Sequence, residues 1–504
     1  MKRKLVMAWL IVQLAALAVV APFELAHAQA ISLKKIRQAG VAGAFYPADP
    51  KELSAMIDGM LAQAVPPPAA GPILAAVAPH AGYIYSGPVA AWTFAALKGR
   101  AYARVVIIAP SHYESFDFSS VYDGDAYETP LGAVPIDKEF AARLVKLNSS
   151  IRFSGRGHDP TTAGAEHAIE VELPWLQRVL GHFELVPIVM GDQSYESSRA
   201  LGVALADLIH GNSNTLILAS SDLSHYHTYD QAEAIDRKTL HALQAWDYLS
   251  MSRNFPTRTW EACGGAPIVA AMIAAERMGA NQAITLKYEN SGDTSGDRSR
   301  VVGYSADLFV KAPSAAVEPP FSLTEQEKSE LLALARKSAE YAVENNKAYD
   351  PSPSASEKLN SEYGAFTTLT RSGQLRGCVG YPSAVKPLTI TVRDTATLAA
   401  LRDTRFTPVT TAELPGLTYE ISVLSPLRRV TGIDQIKIGE HGLLMKSGGH
   451  EGLLLPQVPI EQKWDRQTFL EQTCIKAGMD HNCWKDENTD IFAFTAVVFA
   501  DQKP

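Results

Sequence analysis

Two apolar runs in this chain end alike. Residues 73–78 (Ile-Leu-Ala-Ala-Val-Ala) lead into Pro79-His80, and residues 105–109 (Val-Val-Ile-Ile-Ala) lead into Pro110-Ser111-His112. Short continuous apolar runs broken by proline read as strands buried on both faces, the pattern of a parallel sheet covered by helices. Ligands bind such sheets at the carboxyl ends of the strands. The sequence therefore predicts two imidazoles, delivered to one edge by neighbouring strands, that can converge on a single metal ion. A third donor is Cys263, in Glu261-Ala262-Cys263-Gly264-Gly265-Ala266-Pro267, just ahead of an apolar helical stretch.

Further runs fit the same plan. Residues 184–190 and 215–220 read as short buried strands, while Ile169, Leu173, Leu176 and Leu180, and then Leu201, Leu205 and Leu208, recur at helical spacing. Strand alternating with helix predicts an α/β domain over residues 36–310, with a largely parallel sheet. Residues 311–320, Lys-Ala-Pro-Ser-Ala-Ala-Val-Glu-Pro-Pro, have the composition of a linker. Residues 321–504 follow a different grammar. A long helix is expected over 324–344, hairpins around Ser372-Gly373 and Ser447-Gly448-Gly449, and helices over 388–401 and 469–477. This part reads as a smaller α+β domain with antiparallel pairs.

The chain of 504 residues begins with Lys2, Arg3 and Lys4, an apolar run over 5–21 and Ala26-His27-Ala28 before Gln29. That is the three-part pattern of a secretory signal peptide, residues 1–28, and it predicts a periplasmic or secreted protein with no stable membrane anchor after cleavage. Net charge is −8 and no basic stripe with interleaved aromatics is present, which argues against nucleic acid as a partner. Four cysteines are too few for a disulfide framework. Cys474 and Cys483 are close enough to pair, but one falls in an expected helix and the other in a loop, and spacing alone does not settle their geometry.

A third expected strand end supplies Ser220-Ser221-Asp222-Leu223-Ser224-His225. His225 is the candidate acid/base because imidazole titrates near neutral pH, and Asp222 can orient it or a bound water. Cys263, beside two glycines at a helix start, is expected to have a lowered thiol pKa. Thiolate plus two imidazoles suits iron, copper or zinc better than magnesium or calcium. Glu166-His167-Ala168-Ile169-Glu170-Val171-Glu172 lacks a zincin spacing and reads mainly as a solvated helix start, with His167 or Glu170 as its candidates for the pocket border. Cys378, in Arg376-Gly377-Cys378-Val379-Gly380, reads as a packing residue.

Several separated motifs, in order, resemble the Memo family. They are Gly43-Ala44-Phe45-Tyr46-Pro47, Pro79-His80-Ala81-Gly82-Tyr83, Pro110-Ser111-His112, Glu166-His167-Ala168-Ile169-Glu170, Ser220 to His225, Cys263-Gly264-Gly265 and Val302-Gly303-Tyr304. The resemblance implies a fold like that of class III extradiol dioxygenases. It places His80, His112 and Cys263 on the metal positions, Asp222 and His225 in the same pocket, and Phe45 and Tyr85 along its wall. The implied cofactor is one transition-metal ion, iron or copper first and zinc next. Cysteine in place of the dioxygenase carboxylate means that ring cleavage is not implied; a metal-dependent oxidoreductase, or a non-catalytic metal- or peptide-binding scaffold, are the two functional expectations, and the ligand is a small molecule or a peptide.

From about Phe321 onward the chain resembles an AMMECR-type domain, through residues 375–380, 403–409, 420–426 and 452–456. Fusions of this kind are similar to proteins of the AmmeMemoRadiSam system, named for co-occurrence with a radical SAM protein. The leader argues against a direct complex with such a partner, whose reduced cluster belongs in the cytoplasm.

Overall fold

The computed structural model describes residues 35–161, 165–210, 214–313 and 321–501. The expected signal peptide and most of the expected linker lie outside the described residues. Four buried strands form the parallel centre of the first sheet: β1 (Ile73–Ala78), β2 (Arg104–Pro110), β3 (Glu184–Met190) and β4 (Thr215–Ser220), in the order β1-β4-β2-β3. Alternation along β2 explains its apolar sequence. Val106 and Ile108 face one core, while Val105, Ile107 and Ala109 face the other.

Helices cover both faces. α1 (Tyr83–Leu97) and α2 (Leu173–Val179) pack on one side, α3 (Tyr195–Ile209) on the other. α4 (Tyr229–Gln244) and α5 (Tyr248–Asn254) lead to α6 (Gly265–Arg277), in which Gly265 through Ala275 are all buried because the sequence there is only small and apolar. β5 (Gln282–Asn290) and β6 (Val301–Val310) close the edge beyond β1 with antiparallel pairing. One sequence expectation needs correction: β1 and β2 are not neighbours, because β4 lies between them. Their carboxyl ends are thus about 10 Å apart by strand spacing, a gap that two imidazoles reaching inward can close.

The second domain starts with α7 (Glu325–Asn345), capped by Thr324, whose hydroxyl accepts from the Glu327 N–H while the Glu327 carboxylate accepts from the Thr324 N–H. β7 (Ala365–Arg371) and β8 (Gln374–Tyr381) form the first hairpin, turning at Ser372 and Gly373, both at positive φ. α8 (Leu388–Leu401) backs the sheet, which β9 (Leu417–Leu424) continues. A second antiparallel sheet pairs β10 (Gly442–Ser447) with β11 (His450–Leu454) and with β12 (Asp490–Phe494). Cys474 and Cys483 form a disulfide with Cα atoms 5.8 Å apart, because Cys483 begins a short turn folded back on its helix. The two domains share one core: Leu424, Leu427, Leu444, Phe492 and Phe494 belong to the same buried cluster as Trp246, Tyr248, Leu249 and the α6 residues.

Candidate metal centre

His80, His112 and Cys263 meet at the carboxyl edge of the parallel strands, with one ligand atom of each within 4.8 Å of the others. His80 is buried, its Nε2 lies 3.1 Å from Cys263 Sγ, and the two imidazole rings cross edge to face at 5.1 Å. The outward-facing nitrogens are tied back. His112 Nδ1–H donates to Glu166 Oε1 at 3.0 Å, leaving Nε2 toward the other donors. His80 Nδ1 is 2.8 Å from Ser220 Oγ, which donates to the Ala168 carbonyl at 2.6 Å. Ser220 Oγ also donates to Glu172 Oε1 at 2.7 Å, and burial pushes the Glu172 carboxyl above the usual range although this bond opposes the shift. Ser220 then accepts from His80 Nδ1–H, and the His80 Nε2 lone pair faces Cys263.

Asp222 is buried and acts on the backbone. Its Oδ1 accepts from the His80 N–H at 2.9 Å, and its own N–H points to Cys263 Sγ at 3.3 Å. Burial raises its carboxyl pKa, against the pull of nearby His225. His225 Nδ1–H donates to the Leu223 carbonyl at 2.8 Å, which leaves Nε2 as its free nitrogen, and the His225 N–H donates to Glu261. Of the two expected wall residues, Phe45 packs with its ring tilted against His167, centroids 4.4 Å apart, while Tyr85 is exposed on the first turn of α1.

The Glu166–Glu172 segment is not a solvated helix start. Glu166, His167, Glu170 and Glu172 are all buried. Residues 165–169 are irregular and only 170–172 form a short 3-10 turn, so helical phase was the wrong guide. Glu166 accepts from both the N–H and the Nδ1–H of His112; these bonds hold its pKa below the usual range although burial opposes them. His167 stacks on His112 at 4.9 Å and burial holds its pKa near 4. Glu170 fixes the entering chain, accepting from Arg37, from the Gly40 and Val41 N–H groups and from Tyr46. Glu166, Ser220 and Glu172 were not legible as orienting groups. Their only signal was an acidic, histidine-bearing segment abutting an apolar run.

The expected lowering of the Cys263 thiol is also overturned. Burial pushes its pKa up, against the neighbouring His112. On His112 burial opposes a proton, but Cys263 and Glu166 outweigh it and push the imidazole up to about 10. Thiol and imidazolium must shed these protons when a metal cation binds. Two imidazole nitrogens and a thiolate fit a borderline or soft transition metal, and three protein ligands leave a position open. A second group, His112, Glu166 and His167, also lies within 4.8 Å, but the Glu166 carboxylate is already filled by hydrogen bonds from His112, His167 and Ala168.

Comparison with known proteins identifies the two domains. The Memo-like protein family model matches residues 37–308 and the AMMECR1 model matches residues 332–499. A MEMO1 family protein of Methanopyrus kandleri is 40% identical over 284 residues, covering 54% of this chain and 98% of the relative. Protein NEQ441 of Nanoarchaeum equitans is 42% identical over 178 residues, covering 34% of this chain and 98% of its own. Among solved structures, uncharacterized protein PH0010 from Pyrococcus horikoshii is 36% identical, covers 36% of this chain and 96% of its own, and has a TM-score of 0.35. The chain belongs to the Memo family, with an AMMECR1 domain fused behind the Memo domain.

Proposed function

We propose that this protein is an exported metalloprotein that holds one iron or copper ion on His80, His112 and Cys263 and acts as a metal-dependent oxidoreductase on a small-molecule or peptide ligand. The observation that carries this reading is the convergence of three donor atoms within 4.8 Å, with the far nitrogen of each imidazole tied to an orienting group. A bound iron or copper ion supplies Lewis acidity and one-electron chemistry at the open position. The chain's own residues do the rest. Glu166 and Ser220 fix the two imidazole tautomers. Asp222 clamps the turn that presents His80. His225 Nε2 is free to take or return a proton at a ligand, since its Nδ1–H is spent on the Leu223 carbonyl. Phe45, packed on His167, keeps one wall of the pocket apolar.

The leader supports assignment to the periplasm or exterior, and with it function apart from a cytoplasmic radical SAM partner. The test is an activity screen on purified protein loaded with iron or copper. Oxygen consumption or ligand oxidation that disappears in His80→Ala supports the enzyme. Stoichiometric metal binding without turnover would make the chain a metal-holding scaffold, and no metal in wild type would remove the reading altogether.

A further inference from the structure

The AMMECR1 domain touches the Memo domain on both sides of Cys263, and it does so through buried carboxylates. Glu362 accepts from Trp260 Nε1, three residues before the cysteine, and from Lys238 Nζ at 2.8 Å; its side chain is only 4% exposed. Asp490 accepts from Arg277, the last residue of α6, at 3.2 Å, and from Arg199 and Tyr195 of α3. A buried carboxylate is costly to leave unpaired, so both contacts specify how the domains sit together. None of these contacts falls on β1 or β2, which end at His80 and His112.

We propose that the AMMECR1 domain positions the cysteine ligand of the metal centre, with Glu362 and Asp490 holding the two ends of the 260–277 segment that carries it. The inference rests on the metal reading only for what Cys263 binds. α6 is a buried rod of 13 residues, about 20 Å long by its rise. Close-packed interiors transmit displacement, so a shift at Arg277 reaches the Cys263 end. That end has little slack. A side chain on Gly264 would meet the Ser220 carbonyl at 2.4 Å, and one on Gly265 would meet the Phe255 ring at 2.5 Å. Within the Memo domain the cysteine is pinned through its N–H to the Asp222 carbonyl at 3.2 Å, and the Gly264 N–H bonds Ser221 Oγ at 2.9 Å. The domain interface adds two further restraints, one before the cysteine at Trp260 and one after it at Arg277. Glu362 and Asp490 are therefore positioning residues for one ligand of the three, and the fusion gives the second domain a means of setting thiolate geometry while the histidines stay fixed.

The experiment uses the full chain with Cys378→Ser, so that Cys263 is the one free thiol beside the paired Cys474 and Cys483. Alkylation of metal-free protein by iodoacetamide, and the thiolate-to-metal band with cobalt(II), are measured for Glu362→Ala, Asp490→Asn and the conservative Glu362→Gln. Loosening the segment should raise the alkylation rate at least about threefold in the first two variants and shift or weaken the cobalt band. Glu362→Gln, which keeps an acceptor for Trp260, should restore both. Where a carboxylate variant fails to fold, Trp260→Phe reads the same contact with the ring retained. Unchanged alkylation and an unchanged band across folded variants would overturn the proposal while leaving the metal reading intact. Wild type that binds no cobalt, with the alkylation response still present in the variants, would overturn the metal reading and sustain the positioning role.

Discussion

Cys263 Sγ lies 3.1 Å from Nε2 of His80, across 183 positions of sequence. The pair meets because β1 ends at Ala78 and α6 begins at Gly265, on the same edge of one sheet. Neither residue belongs to a local binding motif, so the scaffold itself sets their separation. Metal binding should then depend on each ligand without any one being needed for folding. His80→Ala and His112→Ala should each reduce metal content to about a tenth or less of wild type at limiting metal, since a two-ligand site is weak. Cys263→Ser should weaken binding and move preference away from soft metals. His225→Ala should retain metal and lose any proton-dependent step. Metal stoichiometry on the four variants checks this, and full occupancy in a His80→Ala, His112→Ala double variant would refute the assignment.

Glu166 holds His112 through two hydrogen bonds, to the ring Nδ1 and the backbone N–H. A carboxylate in that place sets the tautomer and raises the basicity of the coordinating nitrogen. Glu166→Gln should lower metal affinity about 10- to 100-fold with His80 and Cys263 still in place. Titration with a competing chelator measures the difference, and equal affinity in the variant would show that Glu166 serves only the local fold.

Much of this was legible in the sequence, and the parts that were not share a physical cause. Val105 to Ala109 announced a strand covered on both faces, and Ser372-Gly373 announced a hairpin, because both signals are local. His80, His112 and Cys263 were readable as donors because each follows a strand end or opens a helix. The order of the strands was not, since nothing local in β1 and β2 says that β4 separates them. Nor was the burial of Glu166 and Glu172 readable. Charged residues at a helix-like start normally face water, and only the tertiary fold brings His112 to Glu166 and Ser220 to one oxygen of Glu172. The shared core between the domains escaped for the same reason: the alternating residues of β12 look the same whether they face their own sheet or a neighbour.

That shared core bears on the linker. Cleavage between residues 313 and 320, at an inserted protease site, should leave two fragments that still migrate as one particle in size-exclusion chromatography. Asp490 keeps its partners Arg199, Arg277 and Tyr195 after the cut, and Phe492 and Phe494 remain in the joint core. Fragments that separate at micromolar concentration would mean that the interface needs the tether.

Export is tested by N-terminal sequencing. A mature chain beginning at Gln29 in extracytoplasmic fractions is the expected result, whereas an intact Met1 terminus in the cytosol would oppose export and reopen a cytoplasmic radical SAM partnership.

His158 gives a pH dependence that does not involve the metal donors. It is buried, accepts at Nδ1 from the Tyr127 hydroxyl at 2.5 Å, and donates from Nε2 to the Ser120 carbonyl at 3.1 Å. Burial lowers its pKa to about 3, so it stays neutral in the folded chain. The unfolded chain takes up a proton near pH 6.5. Between these values the unfolded state binds more protons than the native one, so this contribution is fully present above about pH 6.5 and is lost as pH falls toward 3. The slope approaches about 1.4 kcal/mol per pH unit at most. His158→Gln should be less stable than wild type at pH 7.5, because the Tyr127 and Ser120 bonds are disturbed, yet should lose stability less steeply between pH 6.5 and 4.5. Denaturant unfolding of metal-free protein at several pH values gives both quantities. Parallel curves for the two proteins would show that protonation of His158 does not drive acid unfolding.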